Sequence, residues 1–580
     1  MQTLLTDTGR RLRAFQQTDA WTYCLYAVIA LLIIASGFEL YDFIRRLAVE
    51  FHGISIDFLM TGRAALNGYV PYADHLDVKA PGTIVLGALS LLLTGDGRFL
   101  FAFKIVILLA IPVLIMVMTM RETRTLDRLR RTILTFSAFL LGSELSLYVM
   151  ERGGNNSSNA EPFGVFFALL YLLVIAWDRR KMSYLRLGLA SFFLLCTIGI
   201  KEPFLFVLLA MNLLLARDVR FFIRSFVAPL GIAAVTGIIV LTVLGYLSAY
   251  VTVGLGTILT DRIAGENSVF FRGLMVFNVY DAVTTYSHTG PVMGYVLATL
   301  LVLRPFPASG GKRRTELLAG ATLLALLYSL YVTGFYGVVL GQLQYAFPFD
   351  NAAFLWLTVR CAGALALLVL LLLAVARFSP RLIIGIGLTG IAVYLVTFAI
   401  GSGDFLAQQY LLAVPFYAAA FLVFAERPRA FLIPVIFLIF MPFHHVKPDY
   451  AAKAAAANQF AANSSLWIPA AEQLDAMMDA CAIDRYSAFG GPSNIVVRTH
   501  HSPMDHSYPQ QSKHPDMRKR FLERLAASPV IFVDEEYLST VEDAEVRSIL
   551  QTNFTRNILT CAQGKIPQGV IVLFNAVTQP

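Results

Sequence analysis

The sequence predicts a polytopic α-helical membrane protein of about thirteen transmembrane helices, followed by a C-terminal extracytoplasmic α/β domain. Of its 580 residues, 57% are hydrophobic and only 14% are charged, and the mean hydropathy is +0.66. An average soluble domain has about 25% charged residues. The basic residues fall in short clusters between apolar segments, as the positive-inside rule places them, so the net charge of +8 indicates topology and not nucleic-acid binding.

A transmembrane helix needs about 20 apolar residues. Applied along the chain, this length predicts spans at 21–41, 99–120, 132–150, 163–177, 184–200, 203–216, 225–247, 291–304, 315–333, 352–376, 381–400, 409–425 and 430–443. The apolar segment 83–94 is too short, so we expect a re-entrant or interfacial helix there. A cytoplasmic N-terminus then places most arginine-rich loops inside and the C-terminus outside. The first helix is expected to be an uncleaved anchor, because no short apolar core with a cleavage site precedes it.

The chain divides by composition into a transmembrane domain, 1–445, and an extracytoplasmic α/β domain, 446–580. The second part alternates strand-like runs ("NIVV", "PVIFVD", "GVIVLF") with helix-like runs ("AEQLDAMMDAC", "DMRKRFLERLAA"). Cys481 and Cys561 are either free or joined by a disulfide, depending on the compartment. The histidines of "HHSPMDH" match no strong zinc pattern, so no metal site is predicted.

The first outside loop contains "LNGYVPYADHLDVKAPG", and two of the loop's charges suit group transfer. Asp57 follows the first span, and Lys79 precedes "APG". A carboxylate there is able to take a proton from an acceptor hydroxyl, and an ammonium group is able to neutralise a leaving phosphate. Composition alone favours the interpretation of Asp57 and Lys79 as solvated loop charges.

The stretch "IDFLMTGRAALNGYVPYADHLDVKAPG" resembles the first external loop of the GT-C glycosyltransferases, in the branch of the protein O-mannosyltransferases and the lipid A aminoarabinose transferase. The resemblance implies a GT-C-like fold, with Asp57 as catalytic base and Lys79 as the donor-phosphate ligand. Tyr72, Asp74 and Asp77 of the same loop are then substrate-binding candidates. Phe58 replaces the second acid of the family's "DE" pair and Ala80 replaces the first proline of its "KPP" element, and the first change weakens the case for a metal at that pair.

Further substrate-binding candidates lie outside this loop. The segment "ERGGNNSSNAEPFGVFF" is similar to a second phrase of some relatives and contributes Asn155 and Glu161, although Glu161 also fits a carboxylate at a helix entry. Lys201 and Glu202 are adjacent charges between two apolar spans, with mutual neutralisation as the alternative. The remaining candidates are His288, in a long outside loop, and Tyr410, in "QQYLLAVPFYAAAF".

These observations predict an inverting glycosyltransferase that moves a hexosyl or pentosyl group from a polyprenyl-phosphate donor to an envelope glycolipid, polysaccharide or protein, as the resemblance implies. The predicted location is the inner membrane, with the site facing outward. No phosphate loop or dinucleotide fingerprint is present, so no nucleotide cofactor is expected, and a divalent metal is left open. The alternatives are a flippase or transporter of lipid-linked glycans, a glycan polymerase or ligase, and a non-catalytic scaffold.

Overall fold

The computed structural model describes residues 19–50, 56–75, 79–153, 160–177, 182–216, 218–255, 414–425, 450–489, 493–504, 515–533, 535–541, 543–556, 558–567 and 570–576. Its first part is helical. The helices, numbered in chain order, are α1 Asp19–Glu50, α2 Ile56–Leu66, α3 Pro81–Thr94, α4 Arg98–Glu122, α5 Arg128–Gly153, α6 Glu161–Ala176, α7 Tyr184–Ile200, α8 Phe204–Leu215, α9 Val219–Phe222, α10 Ala228–Val243, α11 Leu247–Ala249 and α12 Val414–Ala425. A π-helical turn, Ile223–Val227, joins α9 to α10, and another, Tyr250–Leu255, follows α11.

The prediction of about thirteen transmembrane helices is wrong. Among the described residues, only Arg98–Glu122 and the continuous segment Val219–Val243 are long and apolar enough to cross a membrane, by length and composition alone. Charges end or interrupt other apolar segments: Lys201 caps the end of α7, for example, and three arginines lie in the first turn of α5. The predicted spans at 291–304, 315–333, 352–376, 381–400 and 430–443 lie outside the described residues.

The short apolar segment expected to be re-entrant or interfacial forms helix α3. Pro81 occupies its first turn, where proline's missing N–H costs nothing. The helix ends at Gly95, whose left-handed backbone (φ 74°) lets its N–H donate to the carbonyl of Leu91 at 2.9 Å.

The C-terminal part carries a small mixed sheet. Its elements are α13 Tyr450–Ala480, β1 Arg485–Phe489, α14 Ser493–Val496, β2 Ser502–Pro503, α15 Pro515–Ala527, β3 Val530–Val533, α16 Glu535–Thr540, α17 Ala544–Asn553, β4 Phe554–Thr555, a 3-10 turn Thr560–Ala562 and β5 Ile571–Asn575. The strand order is β2-β1-β3-β5-β4. The β1–β2 and β1–β3 pairs are parallel, whereas β3–β5 and β4–β5 are antiparallel.

Two of the three predicted strand runs form strands, and the third does not. "PVIFVD" and "GVIVLF" contain β3 and β5, but "NIVV" lies mostly in the short helix α14. A run of three apolar residues does not distinguish a strand from a buried helical turn, which accounts for the error.

Both faces of the sheet are covered. Successive β3 residues alternate between them: Ile531 and Val533 pack with Phe521 of α15, whereas Phe532 packs with the α13 side, around Met477. A disulfide between Cys481 and Cys561 ties the end of α13 to the 3-10 turn. The resulting domain presents its α15 face to the loop that follows α2.

Candidate functional site

The loop after α2 is a tight, internally bonded turn. The backbone N–H of Val70 donates to the side-chain carboxylate of Asp74 at 2.8 Å, and the Asp74 N–H donates back to the Val70 carbonyl at 2.6 Å. Tyr72 N–H donates to the carbonyl of His75 at 2.8 Å. The carboxylate of Asp74, predicted to bind substrate, therefore closes this turn.

Tyr72 fixes how the turn meets the rest of the site. Its backbone is left-handed (φ 68°), a conformation that costs a non-glycine residue about 1–2 kcal/mol. The side chain is fully buried, and its hydroxyl donates to the carbonyl of Lys79 at 2.5 Å. Its ring lies 5.3 Å, centroid to centroid, from that of Tyr250. Tyr72 thus contacts both the Lys79 end of the loop and the π-helical turn.

A buried ion pair lies at the neighbouring helix ends. The Lys201 ammonium group donates to a carboxylate oxygen of Glu161, and their side chains are only 18% and 3% exposed. Glu161 is in the first turn of α6 and Lys201 caps the end of α7 in an extended conformation. Removing two charges from water costs free energy, and buried charges are therefore found paired.

Glu202 faces a different partner from Lys201. Its carboxylate accepts a hydrogen bond from the hydroxyl of Tyr250 at 2.5 Å. Burial, and then the nearby Glu202 carboxylate, raise the pKa of Tyr250 well above its ordinary value, so the phenol keeps its proton. The sequence also allowed Lys201 and Glu202 to neutralise each other. In the structure, Lys201 pairs with Glu161, and Glu202 accepts from Tyr250.

Glycines allow these elements to approach closely. A Cβ on Gly82, near the start of α3, would lie 2.6 Å from the carbonyl oxygen of Gly199 at the end of α7. A Cβ on Gly87 would lie 1.8 Å from the carbonyl oxygen of Phe58 on α2. Backbone contact of this kind brings the start of α3 against the end of α7, and α2 against α3.

Asp57, the predicted base, is the second residue of α2, and its side chain lies outside the described part of the chain. The next residue, Phe58, is buried and its ring lies 6.5 Å from that of Phe163, two residues after Glu161. The backbone of α2 therefore starts near the first turn of α6.

The structure thus brings five of the predicted site residues into one continuous arrangement: Tyr72, Lys79, Glu161, Lys201 and Glu202. Four others lie outside the described residues: Asp77, Asn155, His288 and Tyr410. Tyr250 was missed from the sequence, because "LSAYVTVGLG" matches no motif and its contact with Glu202 spans 48 residues. We call Tyr72, Glu161, Lys201, Glu202 and Tyr250 the tyrosine–charge cluster.

The C-terminal domain also contacts this loop, through hydrogen bonds from two arginines. Arg485 of β1 and Arg524 of α15 both donate to the carbonyl of Asp74, at 2.6 and 2.8 Å. Arg485 also stacks its guanidinium 4.0 Å from the ring centroid of Tyr69. Ile84 and Tyr72 belong to the same apolar cluster as the α15 face of the sheet. The loop is therefore held between the helical part and the domain.

In chemical terms, the tyrosine–charge cluster offers two carboxylates, one ammonium group and two phenols around a tightly held loop. Such groups suit a polar ligand with hydroxyl or phosphate oxygens, because each has donors or acceptors at fixed positions. Comparison with protein-family models, curated proteins and solved structures finds no significant match. The resemblance to GT-C enzymes therefore stays a prediction.

Proposed function

We propose that the chain is a glycosyltransferase that moves a sugar from a polyprenyl-phosphate donor to an extracytoplasmic envelope acceptor. This proposal rests on one observation: the loop that resembles the first GT-C external loop contacts the other residues of the tyrosine–charge cluster. Tyr72 makes that junction, through the Lys79 carbonyl and the Tyr250 ring. Its left-handed backbone supports a functional role, since strain of this kind is concentrated at working sites.

In the proposed reaction, Asp57 takes the proton from an acceptor hydroxyl as that oxygen attacks the anomeric carbon of the sugar. The bond from this carbon to the phosphate oxygen breaks, and polyprenyl phosphate leaves with the bonding electrons. Lys79 stabilises the negative charge of the leaving phosphate. A single displacement inverts the anomeric carbon, and no nucleotide takes part.

The cluster has a positioning role in this proposal. The Glu161 and Glu202 carboxylates are suited to accept from sugar or acceptor hydroxyls, which requires them to exchange one of their present bonds for a substrate bond. Lys201, already paired with Glu161, holds that carboxylate in a fixed position. The packed rings of Tyr72 and Tyr250 form the aromatic part of the cluster.

A lipid-linked donor requires a site beside a bilayer. The helix Arg98–Glu122 and the segment Val219–Val243 meet the length and composition of membrane spans, and they support membrane attachment. We place the tyrosine–charge cluster and the C-terminal domain on the outer side of the inner membrane. The Cys481–Cys561 disulfide supports this placement, because such bonds persist in oxidising compartments.

The test is transfer of radiolabelled sugar from a panel of polyprenyl-phosphate donors by purified protein in lipid. Asp57→Asn is expected to lose about 10²–10⁴-fold in rate, the range for removal of a general base, with donor binding retained. Lys79→Gln is expected to lose about 10²–10³-fold. Asp127→Asn and Lys519→Gln are matched controls, because both side chains are more than half exposed and neither belongs to the proposed site.

Equal transfer by wild type and Asp57→Asn would remove the proposed base. Absence of transfer by every variant, with lipid-linked glycan crossing the bilayer in the same vesicles, would assign the chain to the flippases instead.

A further inference from the structure

Two histidines and two aspartates converge beside β2, at a place that the proposed transfer reaction does not use. His500 and His501 precede β2, while Asp475 and Asp479 lie one turn apart on α13. One ligand atom from each of Asp475, His500 and His501 lies within 4.8 Å of the other two. The imidazole ring centroids are 4.2 Å apart.

Asp475 holds both rings in place. Its two oxygens lie 2.9 Å from Nδ1 of His501 and 3.0 Å from Nδ1 of His500. It also accepts from the backbone N–H of His500 at 3.0 Å. With the carboxylate as acceptor, the hydrogen-bond geometry assigns the proton of each ring to Nδ1.

The other ring nitrogen of each histidine lies near a second carboxylate, that of Asp479. Nε2 of His501 lies 3.3 Å from Asp479 Oδ1, and Nε2 of His500 lies 3.7 Å from the same oxygen. In the tautomer with the proton on Nδ1, both Nε2 lone pairs and the Asp479 carboxylate oxygen are available as ligands to one cation. A carboxylate that orients an imidazole through one nitrogen while the other nitrogen binds metal is a recurrent arrangement at zinc sites.

The spacing fits a zinc-class ion. Tetrahedral Zn²⁺ has bonds of about 2.0–2.2 Å to nitrogen and oxygen, which separates neighbouring ligand atoms by roughly 3.3 Å. The two distances to Asp479 Oδ1 lie around this value. We propose that His500, His501 and Asp479 bind one divalent cation of the zinc class, and that Asp475 orients the two imidazoles.

Charge and exposure agree with this assignment. Asp475 and Asp479 contribute two negative charges, and Arg63 of α2, which interacts electrostatically with Asp475, contributes one positive charge. The net negative cluster favours a cation. His500 and Asp479 are 60% and 62% exposed, so an ion is able to reach the site from solvent and to keep water as a fourth ligand.

The ion would also fasten the loop to the C-terminal domain. The side-chain amide of Asn67, just after α2, donates to the carbonyl of His500 at 2.9 Å and to the hydroxyl of Ser502 at 2.8 Å. His75 of the loop lies 3.2 Å, through Nδ1, from the carbonyl of Pro503. A metal that holds His500 and His501 therefore fixes the segment that contacts the loop.

The sequence pattern did not predict this metal site. The three proposed ligands and Asp475 are split between α13 and a turn about 25 residues after Asp475, so they form no compact motif. The signal available was the pair Asp475 and Asp479 at helical spacing in "AEQLDAMMDAC".

The test is a titration of the metal-free, full-length chain in detergent with Zn²⁺, in competition with a chromophoric chelator. Wild type is expected to bind one ion. His501→Ala and Asp479→Asn remove ligands and are expected to weaken binding by at least about tenfold, and Asp475→Asn by about 10–100-fold through the lost orientation. Glu472→Gln, an exposed acid on the same helix, is expected to keep wild-type affinity.

His500→Ala is expected to fold normally, because its side chain is 60% exposed, and it should lose affinity as His501→Ala does. Co²⁺ provides a second readout: the visible absorption of a tetrahedral complex is expected in wild type and Glu472→Gln and absent in both histidine variants. Equal Zn²⁺ affinity of wild type and His500→Ala, or no binding by wild type at micromolar Zn²⁺, would overturn the proposal.

Discussion

The hydroxyl of Tyr250 lies 2.5 Å from a carboxylate oxygen of Glu202. Tyr250 belongs to a π-helical turn and Glu202 to the link between two helices, so this bond ties together two segments that are distant in sequence. The Tyr250 ring in turn packs against Tyr72. The bond therefore sets where the loop lies against the helix ends.

Tyr250→Phe is expected to destabilise the chain by about 1.5–3 kcal/mol, the usual worth of a hydrogen bond to a charged group. The ring contact with Tyr72 is retained, so the lost bond to Glu202 is the main change. Thermal unfolding in detergent would measure the effect, with Tyr184→Phe as control because that side chain is 94% exposed. An unchanged midpoint in Tyr250→Phe would show that the bond contributes little.

Gly82→Ala is expected to push α3 away from α7. Its Cβ would meet the carbonyl oxygen of Gly199 at 2.6 Å, and overpacking of this kind costs about 1–3 kcal/mol. Sugar transfer should fall with stability, since the Lys79 end of the loop moves as well. Gly188→Ala is the matched control on α7: a Cβ there has nothing within 4 Å, so a gain of about 0.5–1 kcal/mol is expected. Equal stability of the two variants would contradict the close approach.

Arg524→Gln is expected to release the loop from the C-terminal domain. Its guanidinium donates to the carbonyls of Ala73 and Asp74, and hydrogen bonds from charged groups contribute about 1.5–3 kcal/mol each. Amide hydrogen exchange of 69–75 should accelerate in the variant. Arg520→Gln, an exposed arginine on the same helix, is the control and should leave exchange unchanged. Unaltered protection in Arg524→Gln would show that its two bonds contribute little to holding the loop.

The Asp543 carboxylate predicts a pH dependence within the C-terminal domain. Hydrogen bonds from Arg518 and from the first backbone amides of α17 lower the pKa of Asp543. A lowered pKa stabilises the folded form above the unfolded value of 3.8, and that stabilisation is lost as the pH falls through the folded pKa. Hydrogen exchange of Ala544–Asn553, corrected for intrinsic rates, should therefore accelerate only under acid conditions.

Arg518→Gln removes the largest cause of that shift and should move the acid transition to higher pH. Lys519→Gln, whose side chain is 76% exposed, serves as its control. Coincident profiles for Arg518→Gln and wild type would contradict this account of Asp543.

Local patterns predicted local structure best. Helix α3 and strands β3 and β5 follow from apolar runs bounded by proline, glycine and polar residues. The transmembrane count failed because it used hydropathy over stretches whose helices end at charges such as Lys201. The strand prediction for "NIVV" failed because its run of three apolar residues suits either a strand or a helical turn.

The arrangement around the loop shows a different limit. Family resemblance directed attention to Tyr72 and Lys79, and adjacent charges to Lys201 and Glu202, but no local signal indicated their partners. Tyr250 reaches Glu202 across 48 residues, and Asp475 reaches His501 across 26. Pairings of this kind are decided by how helices and strands pack, which the order of residues along one segment does not encode.

The two arginine contacts to Asp74 also bear on biosynthesis. They join residues 411 and 450 positions apart, so the partners of the loop leave the ribosome long after the loop itself. Contacts between such distant positions form late in folding, because the intervening chain must first be ordered. The N-terminal helices are therefore expected to form before the bonds from Arg485 and Arg524 to Asp74 do. A chain truncated before Arg485 would lack both bonds.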